Sequence, residues 1–504
     1  MLYVLYAFLT GAISAFAFEP TGWWLLLPVA FAVLCELTYK SKGLWRSLLT
    51  GWAFGLGQFA VGLNWIATAF TFQAAMPAYY GWFAVVLLSV YLAIYPALAT
   101  GLAWRLARKD RVALVCVLAG AWTITEWLRG TMFTGFPWNP AAAVLAPTPL
   151  ITVTALIGTY GLSGLVVLLG GAIWLEYYRK WLPLVVIVAS TAFLWVLPAS
   201  VVPADPLAVL NLRIVQPNIG EDVKHGEQYN EQAELRLERL SGSPSGEPRL
   251  LLWPEAALTI PLQDARTDGH DRFAQEERKQ ISSLLGPNDR LLTGGIAIDS
   301  RDSVDVSGAE NSIFVLAPNG AIIARYDKAH LVPYGEYLPM RPLLTALGLS
   351  RLAPGNLDFT AGPGPRTADL GGDWGKVGFD VCYEIIFSGN VVDEKNRPRF
   401  IFNPSNDSWF GRWGPPQHLA QARLRAAEEG LPVLRATPTG ISAVVDARGS
   451  VVKSLPWRTA GAIDSIMPPA ANAPPPFARF GNLIPIILGF LMIIGGIVLE
   501  RRRR

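Results

Sequence analysis

The chain is 504 residues long, 52% hydrophobic and only 16% charged, with a mean hydropathy of +0.33. A soluble protein carries charge on about a quarter of its residues, so these figures exclude an ordinary soluble chain. The net charge of +3 is too small to argue for a nucleic-acid partner, and the sequence holds no basic face or RNA-binding signature.

The apolar character is concentrated. Residues 1–204 and 481–500 are nearly all apolar, whereas 205–480 have the composition of a globular domain. The expected domains are therefore 1–204, 205–480 and 481–504. A helix needs roughly 20 apolar residues to cross the hydrocarbon core. Candidate spans fall at 2–18, 22–38, 47–67, 80–105, 112–128, 149–177 and 181–201, with an eighth at 482–499; the first two are short. Ala15-Phe16-Ala17 resembles a signal-peptide cleavage site, but no basic n-region precedes it and another apolar span follows at once, so a retained helix is expected.

Basic residues set the expected orientation. Lys40, Lys42 and Arg46 follow the second span, Arg105, Arg108, Lys109 and Arg111 the fourth, Arg179 and Lys180 the sixth, and Arg501 to Arg504 the last. With eight spans these clusters share one side, which the positive-inside rule makes cytoplasmic. Residues 205–480 then lie outside the cytoplasm.

The opposite loops, 69–80 and 130–140, are aromatic and almost uncharged. They read either as an interfacial belt or as a lipid-contacting rim below a site. Gly51, Gly55, Gly57 and Gly62 in the third span suit close helix packing. Glu126 and Arg129 near a membrane boundary are expected to form a structural ion pair.

In the polar region, β-rich runs at 208–215, 249–253, 290–298, 312–317, 321–326, 376–382, 399–403 and 441–446 alternate with helical patterns at 227–241, 271–285 and 416–430. That alternation predicts an α/β fold. The Pro-containing stretch 198–206 leads in, and Pro474-Pro475-Pro476 is a stiff link to the last span.

Cys35 and Cys116 lie in apolar spans and read as small buried hydrophobes, which leaves Cys382 without a disulfide partner in its own region. None of His225, His270, His330 and His418 has metal-ligand spacing, so neither a metal nor another cofactor is expected. Three segments do carry chemistry. Glu255 ends the run Leu250-Leu251-Leu252-Trp253-Pro254-Glu255, Lys328 ends Arg325-Tyr326-Asp327-Lys328, and Cys382 ends Val377-Gly378-Phe379-Asp380-Val381-Cys382. Each residue alone is ordinary, but the set is what an activated thiol requires. A free thiol, with a pKa near roughly 8.5, is mostly protonated at neutral pH. A carboxylate can take its proton, and an ammonium can favour the thiolate and steady an oxyanion.

Trp253-Pro254-Glu255, Tyr326-Asp327-Lys328 and Cys382-Tyr383-Glu384 resemble the Glu-Lys-Cys triad of the nitrilase, or carbon–nitrogen hydrolase, superfamily. With the membrane spans, the chain resembles the apolipoprotein N-acyltransferases. Supporting stretches are Gly335-Glu336-Tyr337, Asn403 to Gly411, Gln417-His418, Leu434 to Thr437, Thr439 to Ser442, and Gly135-Phe136-Pro137-Trp138 in the membrane part. The resemblance implies an αββα sandwich attached to an eight-helix membrane domain in the bacterial inner membrane, with the sandwich periplasmic. It implies Glu255 as base, Lys328 as oxyanion stabiliser and Cys382 as nucleophile, supported by Glu336, Tyr383 and Glu384. Packing is the plainer role for Tyr383, and a pair with an Arg for Glu384.

The implied reaction passes an acyl chain from a phospholipid donor through a Cys382 thioester to a diacylglyceryl apolipoprotein, with no cofactor and no need of an oligomer. The segment 342–354 is a candidate lid or a surface loop packed on lipid. The chain departs from the family where Lys224 is followed by His225 instead of the usual Trp, and at Pro217 and Pro404. A membrane-tethered amidase and a transporter or receptor with a binding domain are the competing readings.

Overall fold

The computed structural model describes every residue except 1, 73–75, 182–184, 187–188, 191, 194–209, 221–228, 245, 259, 268, 347, 353–357, 503 and 504. The seventh expected span, the 198–206 connector and His225 thus lie wholly or largely outside the described residues.

The apolar part is helical: α1 (Leu2–Ser14), α2 (Leu26–Tyr39), α3 (Leu44–Gly62), α4 (Tyr80–Leu92), α5 (Ile94–Ala107), α6 (Arg111–Thr131) and α7 (Thr154–Tyr177). The described residues do not confirm the expected count of eight spans, since most of the seventh lies outside them. Among the described residues, four helical stretches are long and apolar enough to cross a membrane: Tyr80–Ala107, Arg111–Thr131, Pro149–Tyr177 and Leu483–Arg501. A fifth would join α3 to Ile66–Phe72 across a 47° bend. Leu2–Ala17 and Leu26–Tyr39 are apolar but short. At 1.5 Å per residue they reach only about 20–24 Å against a core of about 30 Å.

Small residues set the helix spacing. A Cβ on Gly51 would lie 2.4 Å from the Pro96 carbonyl oxygen, and one on Gly57 2.1 Å from that of Phe8. Gly55 is similarly tight against Pro96, whereas Gly62 has room and is not a packing glycine. Glu126 and Arg129 are buried and pair at 3.7 Å, as expected, but they do more. Arg129 donates to the carbonyls of Phe136 and Trp138, both at 2.8 Å, and Glu126 accepts the Ala141 N–H at 2.9 Å. Together they hold the loop after α6 in shape. That loop is not a uniform aromatic belt: Phe133 is 84% exposed, whereas Trp138 is fully buried.

The polar region forms two sheets. The first is β13 (Gly461–Ile466), β1 (Asn211–Gln216), β2 (Arg249–Leu252), β4 (Arg290–Asp299), β5 (Gly308–Leu316) and β6 (Ile322–Asp327), with the short β3 (Gln263–Asp264) beside β4. The second is β12 (Val451–Ser454), β11 (Ala443–Val445), β10 (Val433–Ala436), β9 (Phe400–Pro404), β8 (Lys376–Phe379) and β7 (Thr367–Asp369). The central strands β1, β2 and β4, and β8, β9 and β10, are parallel. Both faces of parallel strands are covered, so they read as continuous apolar runs. Leu250, Leu252, Ile313 and Val315 of the first sheet meet Val377, Phe379, Phe400 and Phe402 of the second in one core.

Helices α8 (Tyr229–Ser241) and α9 (His270–Ser282) cover the outer face of the first sheet through Leu237 and Ile281. Helix α10 (Gly414–Glu429) covers the second sheet through Ala422 and Ala426, which gives the expected αββα order. Its other face, through Ala420, Leu424 and Ala427, joins the core of the membrane helices. The chain then returns through α11 (Leu483–Arg501), which packs on α6.

Strands β3, β7, β10, β12 and β13 were not expected. β12 and β13 are half-exposed edge strands with polar residues, and β10 carries Arg435, so none is an apolar run. Two unusual prolines sit where a missing N–H does little harm: Pro217 just follows β1 and Pro404 ends β9.

A Cβ on Gly120 would lie 2.3 Å from the Gly489 carbonyl oxygen, backbone against backbone where α6 meets α11, whereas one on Gly495 would meet nothing within 4 Å. Gly120→Ala is therefore predicted to destabilise by about 1–3 kcal/mol through overpacking, and Gly495→Ala to have little effect. Thermal unfolding of the protein in detergent checks this; equal midpoints for the two variants would refute the close contact.

Candidate active site

The carboxyl ends of β2, β6 and β8 converge. Trp253 closes β2 by donating its N–H to the Leu292 carbonyl at 2.9 Å, and Pro254-Glu255 then turns across β4. The turn lies so close that a Cβ on Gly294 would stand 2.6 Å from the Glu255 Cα, so only glycine fits there. Lys328 follows the last residue of β6. Cys382 stands three residues beyond β8, at the start of a 3₁₀ turn over Cys382–Ile386, and not in the strand as expected.

Lys328, Glu255 and Glu336 lie within reach of one another. Lys328 Nζ lies 2.8 Å from Glu336 Oε1 and 3.7 Å from Glu255 Oε1. Asn311 on β5 donates to Glu255 at 2.7 Å and to Glu336 at 3.1 Å, locking the two carboxylates to one another. The backbone N–H of Asn406 donates to Glu255 Oε2 at 2.6 Å, and that of Val332 to Glu336 Oε2 at 2.8 Å. Lys328 is 1% exposed, Glu255 5% and Cys382 6%. Asn311 was not singled out, because a lone Asn inside a β-rich run carries no signal of what it faces.

Burial opposes the Lys328 ammonium, but Glu336 and Glu255 outweigh it and its pKa lies above the ordinary lysine range. Burial also pushes the Cys382 thiol well above its usual pKa, and Glu255 adds to this, while Lys328 and the Asn406 N–H act the other way. The thiol therefore rests protonated.

Cys382 has φ +52°, a left-handed conformation that costs a non-glycine residue about 1–3 kcal/mol and persists only where surrounding contacts impose it. Glu384 supplies part of the restraint. Its carboxylate accepts from Tyr326 Oη at 2.8 Å and from the N–H groups of Ala329 (2.8 Å), His330 (3.0 Å) and Val381 (2.7 Å). So Glu384 is tied to a Tyr and to backbone, not to an Arg, and joins the segment after Lys328 to the one before Cys382. Burial raises its pKa against these hydrogen bonds. Tyr383 does more than pack: its hydroxyl donates to the Gly135 carbonyl at 3.1 Å, on the loop after α6.

Behind the site, β10, α10 and the turn after β9 carry a second buried cluster. Arg435 contacts both Asp407 oxygens at 2.8 and 2.7 Å, and His418 lies 2.9 Å from Asp407. Burial opposes the Asp407 carboxylate, but Arg435 and His418 hold its pKa below the usual range. A cavity of about 900 Å³ opens where the membrane part meets the sandwich, lined by Ala329 and His330, the residues that follow Lys328; Thr131, Phe133 and Thr134 line one side and Tyr337 and Phe387 another.

A membrane bundle with an α/β sandwich docked on it matches known sequences from end to end. The profile of the apolipoprotein N-acyltransferase N-terminal domain matches residues 10–172, and that of carbon-nitrogen hydrolase matches residues 207–467. The apolipoprotein N-acyltransferase of Rhodopseudomonas palustris is 35% identical over 532 residues, covering 99% of this chain and 95% of that one. The chain belongs to the apolipoprotein N-acyltransferase family. Another member, from Bradyrhizobium diazoefficiens, is 35% identical over 514 residues, with 97% of this chain and 94% of that one covered. Among solved structures, Saccharomyces cerevisiae Nit3, of the nitrilase superfamily, is 16% identical with a TM-score of 0.36, covering 53% of this chain and 93% of that one.

Because the thiol is raised and Lys328 opposes the rise, alkylation of Cys382 by iodoacetamide is predicted to keep accelerating above pH 9. Lys328→Met should slow it about tenfold at pH 8, the equivalent of one further pKa unit. Peptide mass spectrometry across pH 7–11 measures both; a rate that levels off near pH 8.5 would contradict the buried, carboxylate-flanked thiol.

Proposed function

We propose that this chain, like the relatives whose name describes it, moves an acyl chain onto the N-terminal amine of an apolipoprotein. The donor is a phospholipid and the acceptor carries a diacylglyceryl-cysteine. Glu255 takes the Sγ proton as Cys382 attacks the ester carbonyl. Lys328 faces the oxygen that becomes negative in the tetrahedral intermediate. The C–O bond then breaks, Glu255 returns the proton to the departing glycerol oxygen, and a lysophospholipid leaves a thioester on Cys382. The α-amine attacks that thioester, Glu255 receives its proton, the C–S bond breaks, and the thiol is restored.

The observation that carries this reading is the meeting of Glu255, Lys328 and Cys382 in a site packed directly on apolar helices. Two lipid substrates need such a place, and a small soluble amide does not. The cavity between the membrane part and the sandwich supports entry from the bilayer side. The 6% exposure of Cys382 supports protection of the thioester from water. The proposed lid, 342–354, begins within a short helix, Arg341–Ala346, that follows exposed Met340 and carries exposed Leu343, which suits contact with lipid.

We assign residues 1–204 and 481–504 to the membrane and 205–480 to the catalytic domain. Arg105 in the last turn of α5, Arg108 and Lys109 just after it, and Arg501 at the end of α11 share the proposed cytoplasmic side, which supports a periplasmic catalytic domain.

Purified protein incubated with phospholipid and no acceptor is expected to gain one acyl mass. Hydroxylamine should release it, and Cys382→Ala should lack it. Lys328→Met should lower the acylation rate by about 10²–10³, the usual effect of losing one oxyanion donor. Intact-protein mass spectrometry reads all three. Failure to acylate, with turnover of a soluble amide, would instead favour a tethered amidase.

A further inference from the structure

The strained backbone at Cys382 is held on two sides. Glu384 grips the N–H of the preceding residue, Val381, at 2.7 Å. On the other side, the Cys382 carbonyl oxygen meets Nε2 of His418 at 3.0 Å. His418 is fully buried on α10, thirty-six residues away in the chain, and belongs to none of the groups assigned to the chemistry.

A carbonyl oxygen can only accept, so Nε2 must carry the hydrogen. Nδ1 then faces Arg435 Nη2 at 3.0 Å and Asp407 Oδ1 at 2.9 Å. Burial and the nearby Arg435 push the His418 pKa below its usual value, while Asp407 acts the other way. Arg435 is itself fixed by both Asp407 oxygens, by Asn403 Oδ1 at 2.5 Å and by Ser405 Oγ at 2.8 Å.

The same ring is walled by Trp138 at 5.2 Å and Phe410 at 5.7 Å between centroids. Trp138 comes from the loop after α6 and donates its indole N–H to Gln417, the neighbour of His418, at 2.8 Å. Gln417 in turn donates to the carbonyl of Glu19 at 2.9 Å and to that of Gly62 at 3.3 Å.

We propose that His418 is a positioning residue: its Nε2–H, backed by Arg435 and Asp407, holds the Cys382 carbonyl and so aims the thiol between Glu255 and Lys328. The chain Asp407, Arg435, His418, Cys382 runs through the interior of the sandwich. Through Trp138 and Gln417 its reference point is the membrane helices, so the aim of the nucleophile is set relative to where lipid lies. For catalysis this rests on Cys382 as the acyl carrier; the positioning itself does not.

Two readouts separate the claims, both on the full-length protein in detergent. One is alkylation of Cys382 by iodoacetamide at pH 8. The other is acylation by mixed dioleoyl phosphatidylethanolamine and phosphatidylglycerol. His418→Gln keeps an N–H that can reach the carbonyl; His418→Asn withdraws it and His418→Phe removes it. Each donor-less variant that unfolds with the wild-type midpoint is expected to lose about tenfold in both rates, the scale of one net hydrogen bond, with the KM for phospholipid unchanged. His418→Gln should restore most of the loss. Wild-type rates in a folded donor-less variant would overturn the proposal, as would His418→Gln being as slow as His418→Asn. If alkylation follows this pattern while the wild-type thiol takes no acyl group, the positioning stands and the acyl-transfer reading fails.

Discussion

Helix α10 has no free face. One side closes the second sheet of the sandwich and the other is part of the membrane-helix core. Ala420, Ala422, Ala426 and Ala427 keep it thin enough to serve both. Its start is favoured by Pro415 and Pro416 in the first turn, and its end by Gly430 at φ +61°. A helix buried on both sides cannot shift against either partner without opening a core. The active site therefore has a fixed position relative to the apolar helices, which a tether at the two chain junctions alone would not supply.

The electrostatics of the site follow from the same burial. Two carboxylates, Glu255 and Glu336, surround one ammonium, Lys328, beside a thiol nearly closed to solvent. Negative groups outnumber positive ones, so the ammonium is held charged and the thiol is held neutral. A resting thiolate would be reactive toward any electrophile; a resting thiol needs its proton removed at the moment of attack. Asn311 and the Asn406 N–H restrict the orientation of Glu255, the proposed base. Geometry at Cys382 follows the same principle, since a left-handed residue between two hydrogen-bonded clamps has little freedom to turn its thiol away.

The membrane part contributes more than an anchor. Glu126 and Arg129 spend a buried ion pair on the shape of one loop, whose Gly135 and Trp138 contact Tyr383 and the Gln417-His418 pair. Buried charge of this kind is costly unless each group is hydrogen-bonded, and here backbone groups of the loop provide the partners. Phe133, two residues after the end of α6 at Thr131, is exposed at the cavity instead. One short loop thus combines a buried structural half with an exposed half at the cavity.

Composition and motif order determined much of this protein. Apolar runs of twenty or more residues can form only helices in a bilayer, and short apolar β-rich runs alternating with helices read as an α/β domain because backbone hydrogen bonding and periodicity leave few other solutions. Glu255, Lys328 and Cys382 could be singled out because each stands just past a strand, Glu255 and Cys382 after buried ones and Lys328 after the partly exposed β6. The bend after α3 and the edge strands β12 and β13 were not legible, since a length of apolar sequence does not say where a helix stops and a half-exposed strand lacks an apolar run. Only the tertiary structure decided that Asn311 links two carboxylates, that Glu384 binds backbone and Tyr326, and that His418 reaches the Cys382 carbonyl. Those partners are brought together by sheet pairing and by the docking of α10, so their meeting depends on distances in space that no local pattern along the chain encodes.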